Sequence, residues 1–299
     1  FWSAGNLDCT NLVDDNQRWC PNLEVPQKIS PTITKGLILQ KIIQMGTNRP
    51  SGSLYTKIEN RTAIIEFGHP ASNSFVTELL DRLTDELRKV SSNKDVSLIV
   101  LKSEGEKAFC AGASYDELLA ISSPDEGTSF FSGFANVINA MRECTQPIIG
   151  RIQGKAVGGC VGLIAACDYV FACEAAAVRL SELSIGIAPL VIAPAVQRKI
   201  GIAGFSELAM SPKEWKNAYW ALEKGLYSKV YNSIKEMDKE LDFFNSAMAS
   251  YNPEALRAIK KILWEGTTSW NQLLTNRAEI SGKLALMPAS KAILTSIKK

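Results

Sequence analysis

The 299-residue chain is long enough for one large domain or two ordinary ones, and its 46% apolar and 21% charged residues are usual for a globular protein. Its 33 basic and 31 acidic side chains nearly cancel, which excludes the basic footprint of a nucleic-acid or membrane-surface binder. No apolar run reaches the roughly 20 residues of a membrane-spanning helix, and a lone histidine, His69, excludes multi-histidine metal sites.

In chain order, residues 1–44 carry scattered Asn, Asp and Pro without helical or strand period, and the first methionine is Met45. They are expected to be a disordered or non-native extension. An α/β core over 45–225 and a helical region over 226–299 follow, divided near the turn at Gly225. Leu54–Glu59 and Thr62–Phe67 read as strands around a tight turn at Asn60-Arg61. His69 lies in a strand-ending turn, which suits a surface or capping role, and no G-x-S-x-G elbow accompanies it. Phe75 to Val90 carries a helical stripe, with Asn73 and Ser74 as candidate caps.

Val96–Leu101 reads as a buried strand, Leu118–Ile121 and Phe130–Met141 as helices, and Ile148–Ile152 as another strand. After a glycine segment and its helix come the short strands Tyr169–Cys173 and Val178–Leu180. Helices over Pro194–Ile200, Gly204–Met210, Pro212–Leu222, Lys235–Ser250, Pro253–Trp264 and Trp270–Leu286 complete the chain. Strands alternating with helices, then helices alone, indicate an α/β layer with a helical C-terminal part. Cys110, Cys144, Cys160, Cys167 and Cys173 sit among apolar or small residues without metal-type spacing, and are read as reduced core thiols of a cytoplasmic protein.

The glycine segment runs Gly154-Lys-Ala-Val-Gly158-Gly159-Cys-Val-Gly162 between a strand and a helix, where backbone N–H groups can approach an anion. A dinucleotide fingerprint fails on spacing, because Val157 stands where a glycine is needed. A P-loop fails because Cys160 and Val161 follow Gly159. A second loop of small residues, Ala108 to Ser114, follows the preceding strand. In a parallel sheet both loops leave carboxyl ends of strands, where ligands bind. One N–H from each would make an oxyanion hole; small residues also simply permit close packing, and the pattern alone leaves both readings open.

Ala108-Phe-Cys-Ala-Gly-Ala113 resembles the A-F-x-A-G-A-D signature of the crotonase family, the enoyl-CoA hydratase/isomerase superfamily. Gln153-Gly-Lys-Ala-Val-Gly-Gly159 is similar to that family's N-G-x-A-x-G-G-G segment. His69-Pro-Ala-Ser-Asn73, Ala166-Cys-Asp168, Trp220-Ala-Leu-Glu-Lys-Gly-Leu226 and Asn252-Pro-Glu-Ala255 extend the likeness over about Lys57 to Leu263. The resemblance implies a crotonase-like spiral of ββα units with C-terminal helices, a homotrimer or dimer of trimers, and an acyl-CoA thioester as substrate. Coenzyme A then arrives with the substrate, and neither a metal nor a separate cofactor is implied. By position, Ala113 and Gly159 supply the N–H donors to the thioester oxygen. Ala71, Asn73, Ala111, Gly112, Ser114, Tyr115, Asp116 and Gly158 line the substrate groove.

Hydratases of the family carry one glutamate four positions after the first glycine of the G-G-G run and a second twenty residues later. Here those positions are Gly162 and Glu182. Adding water conventionally uses two groups, whereas moving a double bond needs one carboxylate that takes a proton and returns it. The expected activity is therefore isomerisation through an oxyanion-stabilised enolate with Glu182 as proton shuttle. The alternatives are a hydratase of fatty-acid or branched-chain amino-acid breakdown, and a non-catalytic acyl-CoA-binding protein. Without the resemblance Glu182 reads as a surface cap. Asp116 and Glu117 are candidates for a substitute carboxylate, against a role as first-turn acids complementing a helix. Ile187-Ala-Pro-Leu-Val191 replaces the glycine-rich turn that commonly follows the second glutamate.

Overall fold

The computed structural model describes residues 49–297, so the expected extension over 1–44 lies outside the described residues. Ser53–Glu59 (β1) and Thr62–Gly68 (β2) pair antiparallel around Asn60 and Arg61, whose positive φ values of 48° and 61° fit the tight turn expected there. From β2 onward every pairing is parallel: Leu98–Ser103 (β3), Ile148–Ile152 (β4), Tyr169–Cys173 (β6) and Lys229–Tyr231 (β8) complete a sheet of order β1-β2-β3-β4-β6-β8. Ala156–Val157 (β5) and Val178–Arg179 (β7) form a second, two-stranded parallel sheet.

Parallel neighbours need crossover connections, which Thr77–Ser91 (α1), Tyr115–Ala120 (α2), Pro124–Glu143 (α3) and Gly159–Ala166 (α4) supply. The apolar stripe of α1 buries Leu79, Leu83 and Leu87 in the main core with Ile65, Phe67 and Leu101. The other face of the sheet exposes Leu98, Val100, Ile149 and Phe171 to Met237 and Leu241 of the helix Ile234–Ser250, so both faces are covered. Ala193–Met210 (α5) and Ala218–Glu223 (α6) precede that helix, α7; Pro253–Leu263 (α8), Trp270–Ala285 (α9) and Pro288–Ile297 (α10) follow it.

Two interactions fix the C-terminal helices. Asp168 Oδ2 accepts from Lys260 Nζ of α8 and from Ile148 N, both at 2.7 Å, while Trp264 Nε1 donates to Oδ1 at 2.7 Å. Helix α9 lies along α3 so closely that a Cβ on Gly282 would stand 2.7 Å from the Gly127 carbonyl carbon.

Several expectations need correction. Asn73 and Ser74 do not cap α1; Val76 is its N-cap residue, and the Thr77 N–H is satisfied instead by Glu117 Oε2 at 2.9 Å. The helix expected over Pro212–Leu222 shrinks to α6, because Lys216 pairs its backbone with Val178 and the Asn217 side chain accepts from Trp220 N. The two helices expected over Pro194–Ile200 and Gly204–Met210 are both present, separated within α5 by the non-helical backbone of Gly201 (φ 72°, ψ 170°). Strands β5 and β8 and helix α10 carried too little periodicity to be expected.

Cys110 and Cys160 are joined by a disulfide with Cα atoms 6.2 Å apart, contrary to the expectation of reduced thiols. A bridge between Cys110 and Ala156 lays the two loops side by side, and α4 then carries Cys160 back toward Cys110. Cys144 and Cys167 remain free, and burial pushes their thiols up to about 11 and about 12, so neither is a thiolate at neutral pH.

Candidate active site

At the carboxyl ends of β3 and β4 the two small-residue loops meet. Asn73 holds the first: its Nδ2 donates to the Glu104 and Ala108 carbonyls at 2.9 and 3.0 Å, and its Oδ1 accepts from His69 N at 3.1 Å. Asn73 has φ 58°, a left-handed conformation that asparagine tolerates better than most residues. The Ala111 N–H donates to the Ser72 carbonyl at 3.1 Å, so the segment at Ala71 sits beside this loop. Phe75 N donates to Gly112 O at 2.8 Å and Ser114 N to Phe75 O at 2.7 Å, a parallel bridge in which the N–H of Ala113 takes no part.

The second loop turns at Gly158 (φ 59°, ψ −128°), whose N–H donates to Arg179 O at 2.9 Å. Gly159 opens α4, where the first N–H groups have no intrahelical acceptor. Its missing side chain makes room for Phe134, since a Cβ there would stand 2.5 Å from the ring.

Ala111, Gly112, Ala113, Tyr115, Gly158, Gly159 and Glu182 all line one cavity of about 400 Å³. The other expected groove residues stand outside its lining. Ala71 and Asn73 support the Ala111 loop, Ser114 caps α2 by accepting from Glu117 N at 3.3 Å, and Asp116 is exposed on the first turn of α2. Glu117 bonds Thr77 rather than facing the cavity, which removes it as a substitute carboxylate. His69 is a turn brace, with Nε2 at 3.0 Å from the Pro50 carbonyl and Nδ1 accepting from Ala71 N at 3.1 Å.

Glu182 begins a short 3₁₀ turn, Glu182–Ile185, instead of capping a surface helix. The residue is half-buried, but its Oε2 is fully covered and has no hydrogen-bond partner. Burial raises its carboxyl from 4.5 to about 7. Oε1 lies 3.3 Å from where a Cβ on Gly158 would stand, so the carboxylate abuts the turn that presents the Gly159 N–H. Glu182 is the one carboxylate among the described lining residues.

The replaced segment, Ile187 to Val191, lines the cavity throughout, together with Phe130, Phe131 and Phe134 of α3. The helical period of α3 was legible, but not which face would meet the loops. Ile192 and Ser281 also line the cavity, and no local pattern marked either. Helix α10 closes one side: the Tyr115 hydroxyl donates to the Leu294 carbonyl, and Ser290 Oγ donates to Gly186 O at 2.6 Å.

A family model described as enoyl-CoA hydratase/isomerase matches residues 57–291, most of the described chain. The chain belongs to the enoyl-CoA hydratase/isomerase family. It is 30% identical over 189 residues to the peroxisomal Delta(3,5)-Delta(2,4)-dienoyl-CoA isomerase of Arabidopsis thaliana, covering 59% of this chain and 67% of the relative. To the mitochondrial methylglutaconyl-CoA hydratase of Rattus norvegicus it is 32% identical over 199 residues, covering 65% of this chain and 62% of the relative. An enoyl-CoA hydratase structure from Bacillus halodurans superposes with a TM-score of 0.76 at 22% identity, covering 81% of this chain and 99% of that one, which bears on the fold.

As a hydratase/isomerase, this chain departs at the position the resemblance gives to a first glutamate. A Cβ on Gly162 would stand 2.4 Å from Ile192 Cγ2 and 2.5 Å from its Cβ. Ile192 therefore fills the space a side chain at 162 would enter, and that part of the site is apolar.

Proposed function

We propose that this hydratase/isomerase family member moves a double bond within an enoyl-CoA thioester, with Glu182 as its only proton shuttle. The observation that carries the reading is the buried Glu182 carboxyl, its Oε2 unpartnered, beside the oxyanion turn, with Ile192 filling the space at Gly162. In this reading the thioester oxygen accepts from the N–H groups of Ala113 and Gly159. Glu182 as carboxylate removes a proton from one carbon, the electron pair delocalises onto the thioester oxygen as an enolate, and Glu182 returns the proton to another carbon. Nothing is consumed. Each preorganised donor is worth about 3 kcal/mol to such a transition state. The loops at Ala71, Asn73 and Ala111 to Asp116 would carry the coenzyme A portion.

Incubation with 2-enoyl-CoA and 3-enoyl-CoA separately tests this. The expected product is the shifted double bond, and Glu182→Gln should lower kcat by about 10²–10⁴-fold with little change in thioester binding. A 3-hydroxyacyl product would replace isomerisation by hydration, and tight binding without α-proton exchange in deuterated water would indicate a non-catalytic binder. The reading includes the homotrimer, or dimer of trimers, that the family likeness implies.

A further inference from the structure

Resting on that reading, we infer that the end of the cavity at Ser281 is a subsite for an oxygen carried by the acyl group, a hydroxyl or carbonyl several bonds beyond the reacting carbons. Ser281 lies inside α9 at 0% exposure, lines the cavity, and has a covered Oγ with no hydrogen-bond partner. A hydroxyl within a helix ordinarily bonds back to the carbonyl four residues earlier. Thr275 on the same helix does this, donating to Asn271 O at 2.9 Å, whereas Ser281 does not. Packing alone does not call for the oxygen, since Ala278, Gly282 and Ala285 fill the other small buried positions of this helix.

The position follows from helix α3. Its Phe134 touches Gly159 at the oxyanion turn, and its Gly127 touches Gly282, the neighbour of Ser281. Seven residues separate those contacts, about 10 Å along the helix at 1.5 Å per residue. Most of the cavity lining is apolar, Leu118, Phe130, Phe131, Ile187 and Leu190 among it, and the Leu190 carbonyl already accepts from Arg277 Nη1 at 3.1 Å. An unmet buried hydroxyl is costly in an empty apolar site and becomes discriminating once a substrate oxygen meets it.

The test compares a medium-chain 3-enoyl-CoA with its ω-hydroxy and ω-oxo counterparts of equal length. The parent enzyme should favour an oxygenated thioester in kcat/KM. Ser281→Ala should lower kcat/KM for that thioester about tenfold, through KM, and leave the plain one unchanged; Ser281→Cys should fall between. Equal losses with all thioesters, as for a hydroxyl that only holds a water or the helix, overturn the subsite, and so does no loss with any. If no thioester turns over, the isomerase reading fails separately, and calorimetry of the saturated analogues decides the subsite. A tenfold weaker binding of an oxygenated analogue to Ser281→Ala supports it, and unchanged or absent binding overturns it.

Discussion

Glu182 combines a motif position with an environment. In the proposed isomerisation its carboxyl, held near 7 by burial, must be ionised to take a proton, so kcat/KM should rise with pH through about 7 and level off above. The same shift acts oppositely on stability. The protonated form is favoured in the folded state, so the contribution of this group is fully present below the unfolded value of 4.5 and is lost as pH rises through about 7. Glu182→Gln should match the parent near pH 4 and exceed it above pH 8 by up to about 3 kcal/mol, measured by urea unfolding at both pH values. Gly162 makes the complementary case. Restoring the hydratase residue as Gly162→Glu should destabilise by at least about 1–3 kcal/mol through overpacking, because Ile192 occupies its space. Pairing it with Ile192→Ala should recover part of that loss in thermal unfolding.

Among the elements, the joint between α8 and the sheet is the most exacting. Lys260 and Asp168 have side chains only 2% and 5% exposed, and Asp168 also accepts from Ile148 N and Trp264 Nε1. Removing one partner leaves the other charge buried, so Lys260→Met should cost about 3–5 kcal/mol, visible as a lowered urea midpoint. Asp168 was legible as part of a family segment, but its partner stands 92 residues away and no pattern links them. The same distance effect explains the missed elements. Strand β5 has two residues and β8 three, too short to show a period, and each exists because a distant strand offers its edge. The segment before α6 was read as helix, yet its backbone pairs with Val178 instead.

For the whole molecule, the parallel sheet brings the loop after β3 and the loop after β4 to the same edge, 45 positions apart in the chain between Ala113 and Gly158. Helices α3, α9 and α10 then enclose the space in front of them. Exposed apolar side chains remain on the outside, among them Ile259, Ile262 and Leu263 on α8 and Phe243 on α7. In the proposed trimer such surfaces are candidates for contact between copies. Sedimentation of the native protein should accordingly return three or six times the chain mass, and a monomer at micromolar concentration would remove that part of the reading.

The amino-acid sequence by itself determined the α/β alternation, the two small-residue loops and the single glutamate in the family's second position, because these depend on local period and on residues at fixed short spacing. It also showed that Gly162 lacks a carboxylate. Only the tertiary structure decided what stands there instead, since Ile192 reaches Gly162 from the start of another helix. It likewise decided that Glu117 serves as a cap, that Cys110 meets Cys160, and that Ser281 is among the residues lining the cavity. Each of those contacts joins residues far apart in the chain. Their energy comes from desolvation and close packing, which no stretch of sequence expresses until the sheet and helices have brought the partners together.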